Sequence, residues 1–426
     1  MDRWFVFFAR VTFVFFYCGT LKSNGVILTD MVEKLGTTQL LVGWAFSLQN
    51  GLAYMICPFT GFLLNMFSKR QIGVIGGILC GSGYVICGFF VDTVWQLFLA
   101  FTISGVGFGL IGMPSFLIFQ EHFEEDFATF TSCVSVFEYA AVALMPPVLQ
   151  YFKTTYGFNN ALVLFGALSW HLVAGCTAFR VPGRKKERHR NNKHQPTSEI
   201  IAGNTIPFES KVIDKVEQVK SVFQKYSSLF SSLVAHQKFR YFLLLEGIGF
   251  FLFTSWALFL VTTGTALGLS EERAVYLSTA GGIGGFLGKL LAIFLCYINK
   301  MNAYTSCLIP LSIIGICMLA STFTTDFYVL CGLTLWSGVS FGVHSTGVFS
   351  LLPSMVCTKH LKQAVAIDFT LNGVAVQLGG IVSGMMTGAF GSSLYVFRFD
   401  AFLCFLSLPL AVLWAFDDNP TQECNL

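Results

Sequence analysis

Phe16-Tyr17-Cys18-Gly19-Thr20-Leu21-Lys22-Ser23-Asn24-Gly25-Val26-Ile27-Leu28 is the second half of a long apolar run, and it carries a lysine. A charged side chain in the core of a bilayer costs about 3 kcal/mol or more unless it meets water or a partner. If Trp4 to Leu28 forms one helix rising about 1.5 Å per residue, Lys22 lies roughly 27 Å from its start. That depth falls in the outer-leaflet half. Gly19, Thr20, Ser23, Asn24 and Gly25 around it suit a water-filled route better than lipid. One reading has Lys22 snorkelling to the outer interface from a helix that ends early. The other has it contacting an anion inside a cavity, and this is the working expectation.

Composition bounds the class. Hydrophobic residues make up 54% and charged ones 12%, and the mean hydropathy of +0.67 is far from that of a soluble domain. Phenylalanine alone supplies 47 residues, which suits surfaces facing lipid. A net charge of +3 is too small to imply a nucleic-acid partner. The 13 cysteines contain no C-x-x-C pair and fall mostly within apolar runs, so neither a disulfide framework nor a metal site is expected. No cleavable signal peptide is expected, because the first apolar run is too long. With no N-x-[ST] motif, the outward loops are expected to be bare.

Twelve apolar runs are long enough to span a bilayer: 5–28, 39–66, 72–91, 95–119, 128–150, 160–180, 240–263, 274–298, 303–323, 327–352, 364–389 and 395–416. Gly105, Gly107, Gly109, Gly112 and Pro114 cluster in one of them, as membrane helices tolerate. With the N terminus inside, Lys69, Arg70, Lys300, Lys359, Lys362 and the 181–238 segment fall on the cytoplasmic side. The outward loops hold only Lys34, Lys153, Arg273 and Arg398. Both termini are therefore expected in the cytoplasm, by the positive-inside rule. Glu121, Glu124, Glu125 and Asp126 dissent, though acidic residues weigh little in that rule.

The expected organisation is two six-helix halves, 1–180 and 239–416, joined by a cytoplasmic segment 181–238 and followed by a short cytoplasmic tail, 417–426. The joining segment opens with the basic block Arg184 to Arg190, suited to anionic membrane lipid. Its middle, about 187–207, has the composition of a disordered stretch. Val212, Val216, Val219, Phe223, Tyr226 and Phe230 then mark one face of an amphipathic helix. Gly61-Phe62-Leu63-Leu64-Asn65 in the second run echoes Gly285-Phe286-Leu287-Gly288-Lys289 in the eighth. Six spans, a loop and six more, with such an echo, fit the parallel-repeat transporter architecture, whose site lies between the halves.

Polar residues inside the runs are the candidates for that site. Glu138 sits mid-way along the fifth run and Lys289 towards the inner end of the eighth. Asn50 and Gln49 lie in the second run; Asp368, Asn372 and Gln377 lie in the eleventh. Asp368 and Asn372, four apart, share a helix face. Glu138 is expected to pair with an ion or carry a proton; the competing reading is a carboxylic acid kept neutral by burial. Arg10, Glu246 and Asp368 read as close enough to a membrane face for interfacial roles. His171 and His344 read as bundle histidines, and Trp44, Trp256 and Trp336 as packing or interface anchors.

Four stretches together resemble the monocarboxylate transporter family of the major facilitator superfamily. They are Asp2-Arg3-Trp4-Phe5-Val6; Leu21-Lys22-Ser23 followed by Glu33 and Val42-Gly43-Trp44; Gly61 to Gly83 with Lys69-Arg70 and Gly76-Gly77; and Leu378-Gly379-Gly380 with Gly384 and Gly391 to Tyr395. The resemblance covers nearly the whole chain and is weakest in the central segment. It implies that Lys22 is the carboxylate-binding lysine, and that an aromatic, basic signature should follow the fourth span. Here Glu121-His122-Phe123-Glu124-Glu125-Asp126 reverses that charge. Proton-coupled members also carry an Asp and an Arg four apart in the eighth span, where this chain has Gly285 and Lys289. The basic partner survives as lysine, without the planar fork of arginine.

The expectation is an all-α protein of twelve transmembrane helices in the plasma membrane. It would move small organic anions, lactate- or pyruvate-like monocarboxylates, by alternating access, with protons as the coupling ion the resemblance implies. Lys22, Lys289, Asn50 and Asn372 are the expected substrate contacts, with Glu138 and Asp368 as counter-ion or proton carriers. No cofactor and no metal is expected. The resemblance implies one protein partner, the single-span immunoglobulin-type glycoprotein with which some members travel. The alternatives are an uncoupled facilitator of a bulkier aromatic or zwitterionic metabolite, and a transporter-like sensor that moves nothing. An enzyme is not expected, since there is no H-E-x-x-H, P-loop or nucleophile elbow. Nor does the chain carry the charge rings or carbonyl filter of a channel.

Overall fold

The computed structural model describes residues 2–64, 66–123, 127–179, 236–298, 300–352, 355–356 and 361–416. Most of the joining segment, with its basic block and amphipathic stretch, lies outside the described residues, as do Glu124 to Asp126 and the tail. The first half comprises α1 (Asp2–Leu35), α2 (Gln39–Met55), α3 (Cys57–Leu63), α4 (Lys69–Phe90), α5 (Val94–His122), α6 (Phe127–Tyr156), α7 (Phe158–Ser169) and α8 (His171–Thr177). The second comprises α9 (Gln237–Ala266), α10 (Glu271–Tyr297), α11 (Ile309–Ser321), α12 (Phe327–Leu351), α13 (Leu361–Phe390) and α14 (Leu394–Ala415). Eleven helical stretches are long and apolar enough to cross a membrane, and the bent pair α2–α3 raises the count to twelve. This is a multi-pass membrane protein.

The crossings alternate, so the start of α1, the end of α8, the start of α9 and the end of α14 share one face, here the terminal face. Local chemistry sets the ends. Ser68 and Thr93 open α4 and α5 as N-caps within capping boxes, with Gln71 and Gln96 answering their backbones. Ser270 and Asp326 cap α10 and α12.

Three boundaries differ from the sequence reading. α1 runs on to Leu35 instead of ending near Leu28, because nothing from Leu28 to Leu35 breaks a helix. The second crossing bends by 46° between α2 and α3, where Pro58 lacks the N–H that would continue the ladder. The sixth breaks at Trp170, whose indole N–H donates to the Ile78 carbonyl of α4 at 3.2 Å. On the terminal face Glu121 pairs with Lys69 across α5 and α4, giving that acidic residue a local basic partner.

The halves meet through α1 with α9, α2 with α13, and α6 with α10. Glycines make these crossings close. A Cβ on Gly25 would stand 2.6 Å from the Ala257 carbonyl oxygen, and one on Gly282 would stand 2.4 Å from the Ala143 nitrogen. Backbone contact of this kind is how membrane helices pack without a hydrophobic drive between them. Near the face opposite the termini, Lys153 of α6 holds both Asp30 of α1 and Glu271 of α10, an ionic clasp across the halves. Trp4, Phe89, Phe90, Trp95, Phe402 and Leu406 stay exposed around the periphery, where lipid would meet them.

Candidate functional site

Lys22 is wholly buried. With α1 extended to Leu35, roughly 20 Å of helix separates it from that end, too far to snorkel. Its ammonium lies 3.4 Å from the centroid of the Trp256 ring and donates to the Trp256 carbonyl at 3.3 Å. Among the described residues no carboxylate lies within salt-bridge distance of it. A cation held only by a ring face and one carbonyl is under-compensated in a low-dielectric interior. Trp256 is therefore part of the site and not merely a packing anchor. Its side chain is locked by Phe341 at 5.3 Å and Phe253 at 5.8 Å between centroids. The sequence reading missed this because an indole inside an apolar run carries no sign of what crosses its face.

Behind Lys22, α1 is tied into its own half. Tyr84 donates to Asn24 Oδ1 at 2.6 Å, Asn24 donates to Gln49 at 2.9 Å, and Gln49 donates to Ser104 at 2.7 Å. This network joins α1, α2, α4 and α5 and consumes Gln49. Asn50, 1% exposed, donates to the Phe46 carbonyl, while its Oδ1 has no hydrogen-bond partner. Its backbone carbonyl accepts from Tyr17 at 3.3 Å.

Across the halves, Glu138 Oε2 of α6 lies 3.1 Å from Lys289 Nζ of α10. Lys289 is almost enclosed, whereas about a third of the Glu138 side chain is exposed at mid-span (6% and 31%). Arg10 and Cys18 of α1 and Tyr54 of α2 lie within Coulombic reach of Glu138. Tyr139, the next residue, points at α10. A Cβ on Gly285 would fall 1.8 Å from its ring, and the same ring sits 5.7 Å from the Lys289 ammonium. An acidic side chain at 285 has no room. The carboxylate that Lys289 needs comes instead from the neighbouring helix.

The other candidates take no part in this ion pair, although Lys289 is within Coulombic reach of Glu246. Glu246, Asp368 and Asn372 are 3%, 1% and 1% exposed, which overturns the interfacial reading of the two acids. α9 starts at Gln237 and α13 at Leu361, each three residues before its apolar run, so each acid lies about 4.5 Å further along its helix than the run implies. Arg10 is not interfacial either: it donates to Ser115 at 2.7 Å, with the Phe13 and Phe116 rings near its guanidinium. His344 is buried with Nδ1 2.8 Å from the Ser306 carbonyl, and His171 is exposed and stacked on Phe16. Trp44 and Trp336 are exposed at the periphery, as anchors would be.

The model of the Major Facilitator Superfamily matches residues 11–356. Monocarboxylate transporter 2 of Mus musculus is 21% identical over 402 residues, covering 92% of this chain and 80% of that protein. Monocarboxylate transporter 1 of Bos taurus is 23% identical over 417 residues, covering 93% and 80%. Among solved structures, a bacterial homolog of the human lysosomal transporter Spinster, captured inward-facing and unoccupied, superposes with a TM-score of 0.66. It has 14% identity, over 97% of this chain and 95% of that one. These likenesses point to a transporter and not an enzyme.

Proposed function

The chain belongs to the Major Facilitator Superfamily, and from that premise we propose that it carries a small organic monocarboxylate across the plasma membrane by alternating access. The observation that carries this reading is Lys22, a wholly buried ammonium with no carboxylate partner among the described residues. Such a charge is stabilised when a substrate carboxylate arrives, so binding energy is realised at that point. The relatives' names supply the same class of ligand.

In the proposed cycle the substrate carboxylate draws Lys22 off the Trp256 face. The Glu138–Lys289 pair joins the two halves and must open when they rock apart. A substrate that also engages Lys289 frees Glu138, which then takes a proton, so anion and proton travel together. Asn50 and Asn372 flank this path as hydrogen-bonding groups. The clasp of Lys153 with Asp30 and Glu271 closes the face opposite the termini. Basic residues Lys69, Arg70, Lys238, Arg240 and Lys300 lie on the terminal face, which supports cytoplasmic termini.

A second reading, a bulkier aromatic or zwitterionic substrate, is favoured by the aromatic wall of Trp256, Phe253, Phe341 and Tyr139 beside Glu138. Uptake of labelled pyruvate into proteoliposomes, with and without an inward proton gradient, tests the proposal. Gradient-stimulated uptake supports proton-coupled monocarboxylate transport. Gradient-independent uptake contradicts the coupling, and absence of uptake by folded protein contradicts the substrate class.

A further inference from the structure

Asp400 of α14, Ser255 of α9 and Ser383 of α13 are 0%, 0% and 1% exposed. The three helices meet at these side chains. Ser383 donates to Ser255 Oγ at 2.8 Å, and Ser255 donates to Asp400 Oδ2 at 2.5 Å. Asp400 Oδ1 has no hydrogen-bond partner. The transport cycle leaves this group unused.

No neighbouring element brings Asp400 a counter-ion. On α14 itself, Arg398 turns to α11: its Nε donates to Thr322 at 3.4 Å, and its guanidinium lies over the Phe323 and Tyr395 rings. Cys404, one turn on from Asp400, and Cys317 of α11 offer only thiols. On α9 the ionisable residue nearest to Ser255 is Glu246, roughly 13 Å back along the helix. On α13 the one nearest to Ser383 is Asp368, roughly 22 Å back. The turn Tyr304–Leu308, with Tyr304 and Cys307, lies toward the other end of α14, where Tyr304 meets Phe416. Among the described residues no ammonium or guanidinium is within salt-bridge distance of Asp400.

An ionised carboxylate with no exposure, one hydrogen bond and no counter-ion is among the costliest groups to bury. A proton removes that charge, and the idle Oδ1 gives it a place, since Oδ2 already accepts. A metal cation fits less well. Hard cations take about six or more oxygen ligands, whereas the Ser255 hydroxyl aims its hydrogen at the carboxyl group. Nor do three His, Cys, Asp or Glu stand together anywhere among the described residues.

We propose that Asp400 is a proton-binding site, carrying a proton on Oδ1 while Oδ2, as the carbonyl oxygen, accepts from Ser255, whose hydroxyl Ser383 fixes in turn. Ser255 immediately precedes Trp256, whose ring and carbonyl hold Lys22, so neighbouring residues of α9 carry the carboxyl group and the ammonium. A negative charge on Asp400 offsets that ammonium and repels an incoming carboxylate; the proton removes both effects. Proton binding at Asp400 and anion binding at Lys22 therefore strengthen each other. Only this linkage rests on the transport reading.

Infrared spectroscopy of the full chain in proteoliposomes tests the site without substrate. The expected result is a protonated-carboxyl C=O component that is absent from Asp400→Asn and unchanged in Glu138→Gln. In Ser255→Ala it moves to higher frequency, because the C=O loses its hydrogen bond; this variant decides the matter if Asp400→Asn does not fold. Wild type and Asp400→Asn that match at every pH at which both stay folded overturn the proposal, as does a component indifferent to Ser255→Ala. Its loss on adding sodium at constant pH overturns it in favour of a metal cation. For the linkage, the apparent KM of wild type for pyruvate should rise about fivefold or more as Asp400 loses its proton, and the profile of Asp400→Asn should be flatter. Identical profiles overturn the linkage. Wild type that shows the component but takes up no pyruvate upholds the proton site while contradicting the monocarboxylate reading.

Discussion

Glu138 and Lys289 stand 3.1 Å apart on helices of opposite halves, so one ion pair spans the plane along which the molecule would divide. Its two ends are unequal: the lysine is enclosed and the glutamate borders open space. Removing one partner therefore differs from removing the other. Glu138→Gln strands a buried ammonium, at a cost of about 3 kcal/mol or more. Lys289→Gln leaves a carboxylate whose exposed third solvent can hydrate. Melting in detergent should fall further for Glu138→Gln than for Lys289→Gln; the reverse order would contradict the assigned environments.

Gly285 and Tyr139 make a second testable relationship. Gly285→Asp places a side chain into the Tyr139 ring and should abolish folded protein at the membrane. Combining it with Tyr139→Ala should recover folding, measured as monodisperse protein after detergent extraction. A single Gly285→Asp variant that folds and melts like wild type would show that the ring gives way freely.

The clasp at the face opposite the termini should hold the halves together there. Lys153→Ala releases both Asp30 and Glu271, so the equilibrium should shift toward the form open at that face. A cysteine introduced at Ser278, buried on α10, should then react faster with a maleimide added from that side. Unchanged labelling would mean that the clasp carries no part of the closure.

The Tyr84 network predicts a purely structural effect. Tyr84→Phe leaves Asn24 Oδ1 without its 2.6 Å donor. The expected loss is about 1–3 kcal/mol of stability, with substrate affinity unchanged because Lys22 keeps its surroundings. A large change in apparent KM for pyruvate without a change in melting would contradict this.

Much of this was legible in the sequence. Long apolar runs announce their helices, and Lys22, Glu138 and Lys289 stand out because charge inside such runs is costly. That Glu138 and Lys289 pair was not legible, since the contact depends on how the two halves dock. Nor was Trp256: its ring matters only because Lys22 approaches from the other half. Glu246 and Asp368 were misjudged for a simpler reason. Hydropathy marks where lipid-compatible sequence begins, whereas α9 and α13 begin earlier, in polar residues.

The most direct measurement is uptake of labelled pyruvate by wild type and Lys22→Gln, both shown to be folded in the same liposomes. The prediction is a loss of at least about tenfold in uptake, since a charge-assisted contact to a carboxylate contributes about 1.5–3 kcal/mol, with competition by unlabelled monocarboxylates lost in parallel. Uptake by Lys22→Gln equal to wild type would contradict the assignment of Lys22 as the anion site.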